Sequence, residues 1–95
     1  MANKAGIKRQ SRKRQRQAET RRLRNRAVRS RVRRQMRTIR TAIDDGETNQ
    51  VGELLPLTMS IIDVGMRKGV LHPRTAARYK SRIARRANQV AAKEA

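Results

Sequence analysis

The distribution of charge over the first forty residues limits what this 95-residue chain can fold into. Those forty residues carry seventeen Lys or Arg and one acid, Glu19. On a helix turning about 100° per residue, the basic side chains of residues 8–27 point in every direction. That stretch has no apolar face with which to join a core. Downstream the pattern changes: Val28, Val32, Met36, Ile39, Ala42 and Ile43 fall on one stripe, an arc of roughly 120°. Extended backward, the stripe meets Arg21, Arg24 and Asn25, so it stops at Val28. Residues 28–44 can pack and residues upstream cannot. Leu23 and Ala27 lie off the stripe and are expected to make a local contact. A helix through 8–44 would be about 55 Å long, so its first half must project beyond any small bundle.

Gly and Pro divide the rest. Asp45-Gly46 and Lys68-Gly69 read as helix ends, with Gly free to take the left-handed cap conformation. His72-Pro73 reads as a helix start, with Pro at the first helical position. Helices are therefore expected over roughly 8–45, 48–68 and 73–92, with no sustained strand alternation. The second has the widest apolar face, including Val51, Leu54, Leu55, Leu57, Thr58, Ile61 and Ile62, and needs two neighbours. Pro56 falls on its polar side, either kinking the helix there or starting a shorter one. In the third, Ala76, Ile83, Ala87 and Val90 form a stripe flanked by Ala77, Ala84 and Ala91. Arg74, Arg78, Arg82, Arg85 and Arg86 occupy the other side. Lys80 lies within the apolar arc and must snorkel to its edge. The expected fold is all-α: an antiparallel three-helix bundle over residues 28–95, with a long, protruding, highly basic N-terminal helix whose residues 1–27 form an arm. Repulsion along that arm predicts disorder until a polyanion binds.

Residues 41–64 contain no Lys or Arg and five acids, so the net charge of +19 sits at the two ends of the chain. Arg outnumbers Lys twenty to six. A planar guanidinium bridges phosphate oxygens and stacks on bases, where an ammonium acts as a point charge. A basic run of five or six residues would read as a solvated tail. This one exceeds twenty residues, keeps good helix formers and continues into a packed helix. A segment cationic all round is best neutralised by polyanion on several sides at once, which structured nucleic acid offers. By this reasoning the candidates are Lys8, Arg9, Arg12, Lys13, Arg16, Arg24 and Arg26 on the arm, and Arg33 beyond it on the same helix. Arg74 and Arg85 join them from the third helix.

The chain has no Cys, hence no disulfide, thiolate nucleophile or Cys-based zinc site. Asp44, Asp45 and Glu47 lack calcium-loop spacing and fit better as the start of the second helix, where acids suit the dipole. With one His and no convergent acid–base set, neither an enzyme nor a cofactor or small-molecule substrate is expected. No run is long and apolar enough to span a membrane, and no apolar block follows the N-terminal cations, so neither a membrane partner nor a secretory signal is expected. A presequence reading fails on the length of the basic region. Tyr79, the sole aromatic, is expected to be partial core, because stacking platforms for single strands normally use several aromatics. His72 is expected to serve the start of the third helix.

Lys68-Gly69-Val70-Leu71-His72, then Ala76-Ala77-Arg78 and Lys80-Ser81-Arg82-Ile83, resemble the signature of bacterial ribosomal protein S20, a small-subunit family. Ala2-Asn3-Lys4 and the block from Arg21 to Ser30 resemble its N-terminal helix, and Ala42-Ile43, Gly46 and Asp63 also fall in place. The chain departs from the pattern at Pro73-Arg74, at Tyr79 and in the length of 5–18. The resemblance implies a non-enzymatic, cytoplasmic, ribosome-bound protein. It implies primary binding of 16S ribosomal RNA in the body of the small subunit, with the long helix running between RNA helices. It carries over Asn3, Lys4, Arg21, Arg22, Asn25, Arg29, Ser30, Lys68, Gly69, His72, Arg78, Lys80, Ser81 and Arg82 as RNA contacts. Recognition is expected through RNA shape and backbone, because A-form helices hide their base edges. A DNA-compacting chromosomal protein is the alternative. A membrane-active cationic peptide would need an apolar face that the arm lacks.

Overall fold

The computed structural model describes the backbone of residues 4–94 and the side chains of 8–93. It has three helices: α1, Lys4–Asp44; α2, Thr48–Arg67; and α3, Pro73–Glu94. There is no strand among the described residues. The expected bounds hold within a few residues, the largest difference being the start of α1. That helix runs unbroken from Lys4. From Ile7 to Asp44 there is no Gly or Pro. Arg, Lys, Gln, Ala and Glu all have high helix propensity, so local preference sustains the helix where packing does not.

The connections are short and both close the same way. At the end of α1, the Gly46 N–H donates to Ile43 O and the Glu47 N–H to Ala42 O, at 3.1 and 3.0 Å. At the end of α2, the Gly69 N–H donates to Met66 O and the Val70 N–H to Gly65 O, at 2.9 and 3.0 Å. These are paired Schellman closures, which need a left-handed residue at the turn. Gly46 at φ 70 and Gly69 at φ 75 supply it. The chain thus reverses twice, and α2 lies between α1 and α3 as its broad apolar face requires. Pro56 is inside α2, which continues through it. Both Pro56 and Gly52, whose carbonyl loses its partner, are exposed, so water can take that acceptor.

The core consists of Val32, Met36, Ile39, Ala42 and Ile43 from α1, Val51, Ile61 and Ile62 from α2, and Ala76, Ile83 and Ala87 from α3. Val28 and Val90 are half-buried at its margins. Thr58 is fully buried: its hydroxyl donates to Leu54 O at 2.8 Å and accepts from Gln35 Nε2 at 3.1 Å. Gly65 is buried where α2 meets α1 and the second turn. A Cβ there would sit 3.1 Å from Leu71 Cδ1 and 3.5 Å from Val32 Cγ2.

Two apolar expectations fail at the rim. Leu57 is 49% exposed and Leu23 65% exposed. Two neighbours cannot cover an arc wider than half of α2, and Leu23 lies off the stripe that packs; Ala27 is exposed too. The acids near the first turn also differ from expectation. No acid occupies the first turn of α2, and Glu47 caps it without a side-chain hydrogen bond. Asp44 ends α1 and pairs with Arg86 of α3 at 3.5 Å. The molecule measures 77 × 20 × 15 Å, so much of its length is α1 alone.

Candidate nucleic-acid interface

Every side chain from Lys8 to Arg24 is exposed. Lys8, Arg9, Arg12, Lys13, Arg16, Arg21, Arg22 and Arg24 therefore present charge around the whole circumference, with Arg26, Arg29, Ser30 and Arg33 exposed beyond them. Among the described residues just two ion pairs form, Lys80–Asp63 and Arg86–Asp44. No arm cation takes part in either. The intramolecular charge balance is left to whatever binds. Asn3 and the side chain of Lys4 lie outside the described residues.

Asn25 behaves differently from its neighbours. It is half-buried and shares a surface groove with Arg21, Arg24, Val28, Lys68 and Val70. The second reversal therefore brings Lys68 beside the base of the arm, although some forty residues separate them in sequence. Gly69 is exposed at the turn itself, where its positive φ lets the chain present Lys68 and then double back. His72 is exposed, and its Nδ1 accepts the backbone N–H of Arg74 at 3.1 Å. With its carbonyl taking the Ala76 N–H at 3.0 Å, His72 caps α3 ahead of Pro73, as the sequence predicts. Its Nε2 remains directed away from that bond.

On α3, Arg74, Arg78, Arg82 and Arg85 are all exposed, opposite buried Ala76, Ile83 and Ala87. Arg85 also donates to Ser81 Oγ at 3.2 Å, which steadies both residues on that face. Lys80 is turned the other way. Its ammonium reaches Asp63 of α2 at 2.8 Å, both side chains being about one-third exposed, so the snorkelling expected from its position ends in an interhelical pair.

The structure also exposes cations that the sequence reading did not single out. Arg14 on the arm and Arg31, Arg34, Arg37 and Arg40 on the packed half of α1 all face outward. Their signal was present, since all four on the packed half fall off the apolar stripe. The cationic surface thus continues past the arm along the back of the bundle. Residues 41–66 add no cation to it. Its overall form is a rod charged on all sides that merges with two cationic faces, one on α1 and one on α3. Such a surface matches phosphates arriving from several directions. Among the described residues no cluster of three His, Cys, Asp or Glu side chains could hold a metal, and no helix is long and apolar enough to cross a membrane.

A family profile described as Ribosomal protein S20 matches residues 6–88. Among curated relatives, the chain is 51% identical over 74 residues to small ribosomal subunit protein bS20 of Koribacter versatilis, covering 78% of this chain and 83% of that one. It is 43% identical over 78 residues to the bS20 protein of Mycolicibacterium smegmatis, covering 82% and 91%. With the bS20 protein of Methylococcus capsulatus it shares 40% identity over 91 residues, 96% of this chain and 95% of the relative.

Proposed function

The chain belongs to the ribosomal protein S20 family, and from that premise we propose that it is a structural component of the small ribosomal subunit that binds folded 16S ribosomal RNA through phosphate contacts and stabilises its packing. The observation that carries the finer reading is the arm. A helix of exposed cations on every side, with no ion pair on the arm among the described residues, is suited to a space enclosed by RNA. There each flank meets phosphate, and neutralisation relieves the repulsion that keeps neighbouring RNA elements apart. In this reading residues 1–27 are the RNA-binding arm and 28–95 the bundle that fixes its angle. The α3 face of Arg74, Arg78, Arg82 and Arg85 binds a second RNA surface. Lys68 and Asn25 act together at the junction. Lys80 contributes least of the candidates, because Asp63 already engages it. The protein works ribosome-bound in the cytoplasm and performs no catalysis.

Competition separates this reading from DNA compaction. Labelled protein on 16S ribosomal RNA should resist displacement by duplex DNA of equal phosphate content and yield to unlabelled 16S RNA. Equal displacement by both competitors would identify a general polyanion binder and overturn the assignment.

A further inference from the structure

Because α2 separates α1 from α3, the outer helices have few direct contacts, and a groove runs between them. Arg33, Met36, Arg37, Arg40 and Asp44 line it from α1, and Tyr79 from α3. Arg33, Arg37, Arg40 and Asp44 lie within roughly 60° of the circumference of α1. One wall is thus a row of three guanidinium groups ending in a carboxylate. Met36 is almost buried and presents an edge to the groove, while Tyr79 is half-buried, packed on the core from one side. This aromatic ring is held in place before any ligand arrives, so little side-chain freedom is lost when something stacks on it.

We propose that this groove receives one unstacked nucleotide of the bound RNA, its base against Tyr79 and Met36 and its phosphate among Arg33, Arg37 and Arg40. The proposal rests on the RNA-binding reading given above and adds a base contact to it. A duplex is too wide for a cleft between two helices of one small bundle, whereas a splayed base fits such a cleft and stacks on aromatic side chains or guanidinium planes. Asp44, paired with Arg86 at 3.5 Å, makes its end of the groove the less cationic one, so the Arg33–Arg37 end takes the backbone. A single aromatic makes this a one-nucleotide anchor and not a track for a strand.

Three full-length variants test it on 16S ribosomal RNA. Tyr79→Leu keeps the apolar side of the residue and removes the ring. It should retain helix content and weaken binding by roughly 5- to 150-fold, the range for loss of one stacked base, with the salt dependence unchanged. Arg37→Gln should lower the slope of log affinity against log salt by about one. Tyr79→Trp places the chain's sole Trp in the groove, and its emission should be quenched by 16S RNA. Full affinity in a folded Tyr79→Leu variant, or unquenched emission from RNA-bound Tyr79→Trp, would overturn the groove proposal while leaving phosphate binding intact. Failure of the wild-type chain to prefer 16S RNA over duplex DNA would instead overturn the underlying functional reading, and the groove proposal with it.

Discussion

The two halves of α1 are one continuous helix with similar helix-forming residues, yet they have opposite fates. From Val28 to Asp44 every turn sends a side chain into the core, and Ile39 is fully buried. From Lys8 to Arg24 no described side chain is buried. Helix propensity is shared by both halves, so it decides neither fate. The difference is the apolar stripe, present in one half and absent in the other. Secondary structure here is a local property of the chain, while tertiary structure belongs to the half that can hide its apolar side chains from water.

Removing one apolar side chain from each half should have very different consequences. Ile39→Ala should cost about 2–5 kcal/mol, a large share of the stability of so small a domain. Leu23→Ala should stay within about 0.5 kcal/mol of wild type. Urea denaturation followed by circular dichroism measures both, and a comparable loss from Leu23→Ala would mean that the arm packs on something after all. Next in size is the place where the packed half meets α2. Gly65→Val should destabilise by roughly 1–3 kcal/mol, because the new side chain collides with Leu71 and Val32. Gly52→Ala, with open space around it, should instead stabilise by about 0.5–1 kcal/mol. An equal response at the two glycines would contradict the packing described.

Smaller still is the polar link within the packed half. Thr58→Val removes the hydroxyl that Gln35 reaches at 3.1 Å and should cost about 1 kcal/mol. Gln35→Leu added to it should recover part of that loss, since neither partner is then left unsatisfied. A double variant no better than the single one would show that the hydrogen bond is not the source of the cost. Native-state hydrogen exchange refines the same contrast without mutation. Amides upstream of Val28 should exchange far sooner than those at Val32–Ile43, because helix without packing opens locally.

The stripe from Val28 to Ile43, the two glycine turns and the Pro73 start were all legible in the sequence, since each depends on residues close together in the chain. The helix of the arm was legible as well, as a run of strong helix formers without Gly or Pro from Ile7 to Asp44. The pairing of Lys80 with Asp63, the exposure of Leu57 and the meeting of Asn25 with Lys68 depend on how the helices rotate against one another, which periodicity on single helices does not specify. Of the candidate interface, sign and extent could be read from composition, but the α1–α3 groove could not. It exists because α2 holds two helices apart.

In the RNA-binding reading, the unpacked half of α1 is what meets the polyanion. The salt dependence of binding to folded 16S ribosomal RNA measures that most directly. If about ten cations engage phosphate, log affinity should fall against log salt with a slope of roughly −7 to −9. Replacing Arg21, Arg22, Arg24 and Arg26 together by Gln should reduce that slope by about 3–4, with the urea midpoint unchanged or slightly raised because self-repulsion falls. A wild-type slope near −2, or a fourfold variant that keeps the full slope, would show that the arm's charge stays in water and would contradict the claim.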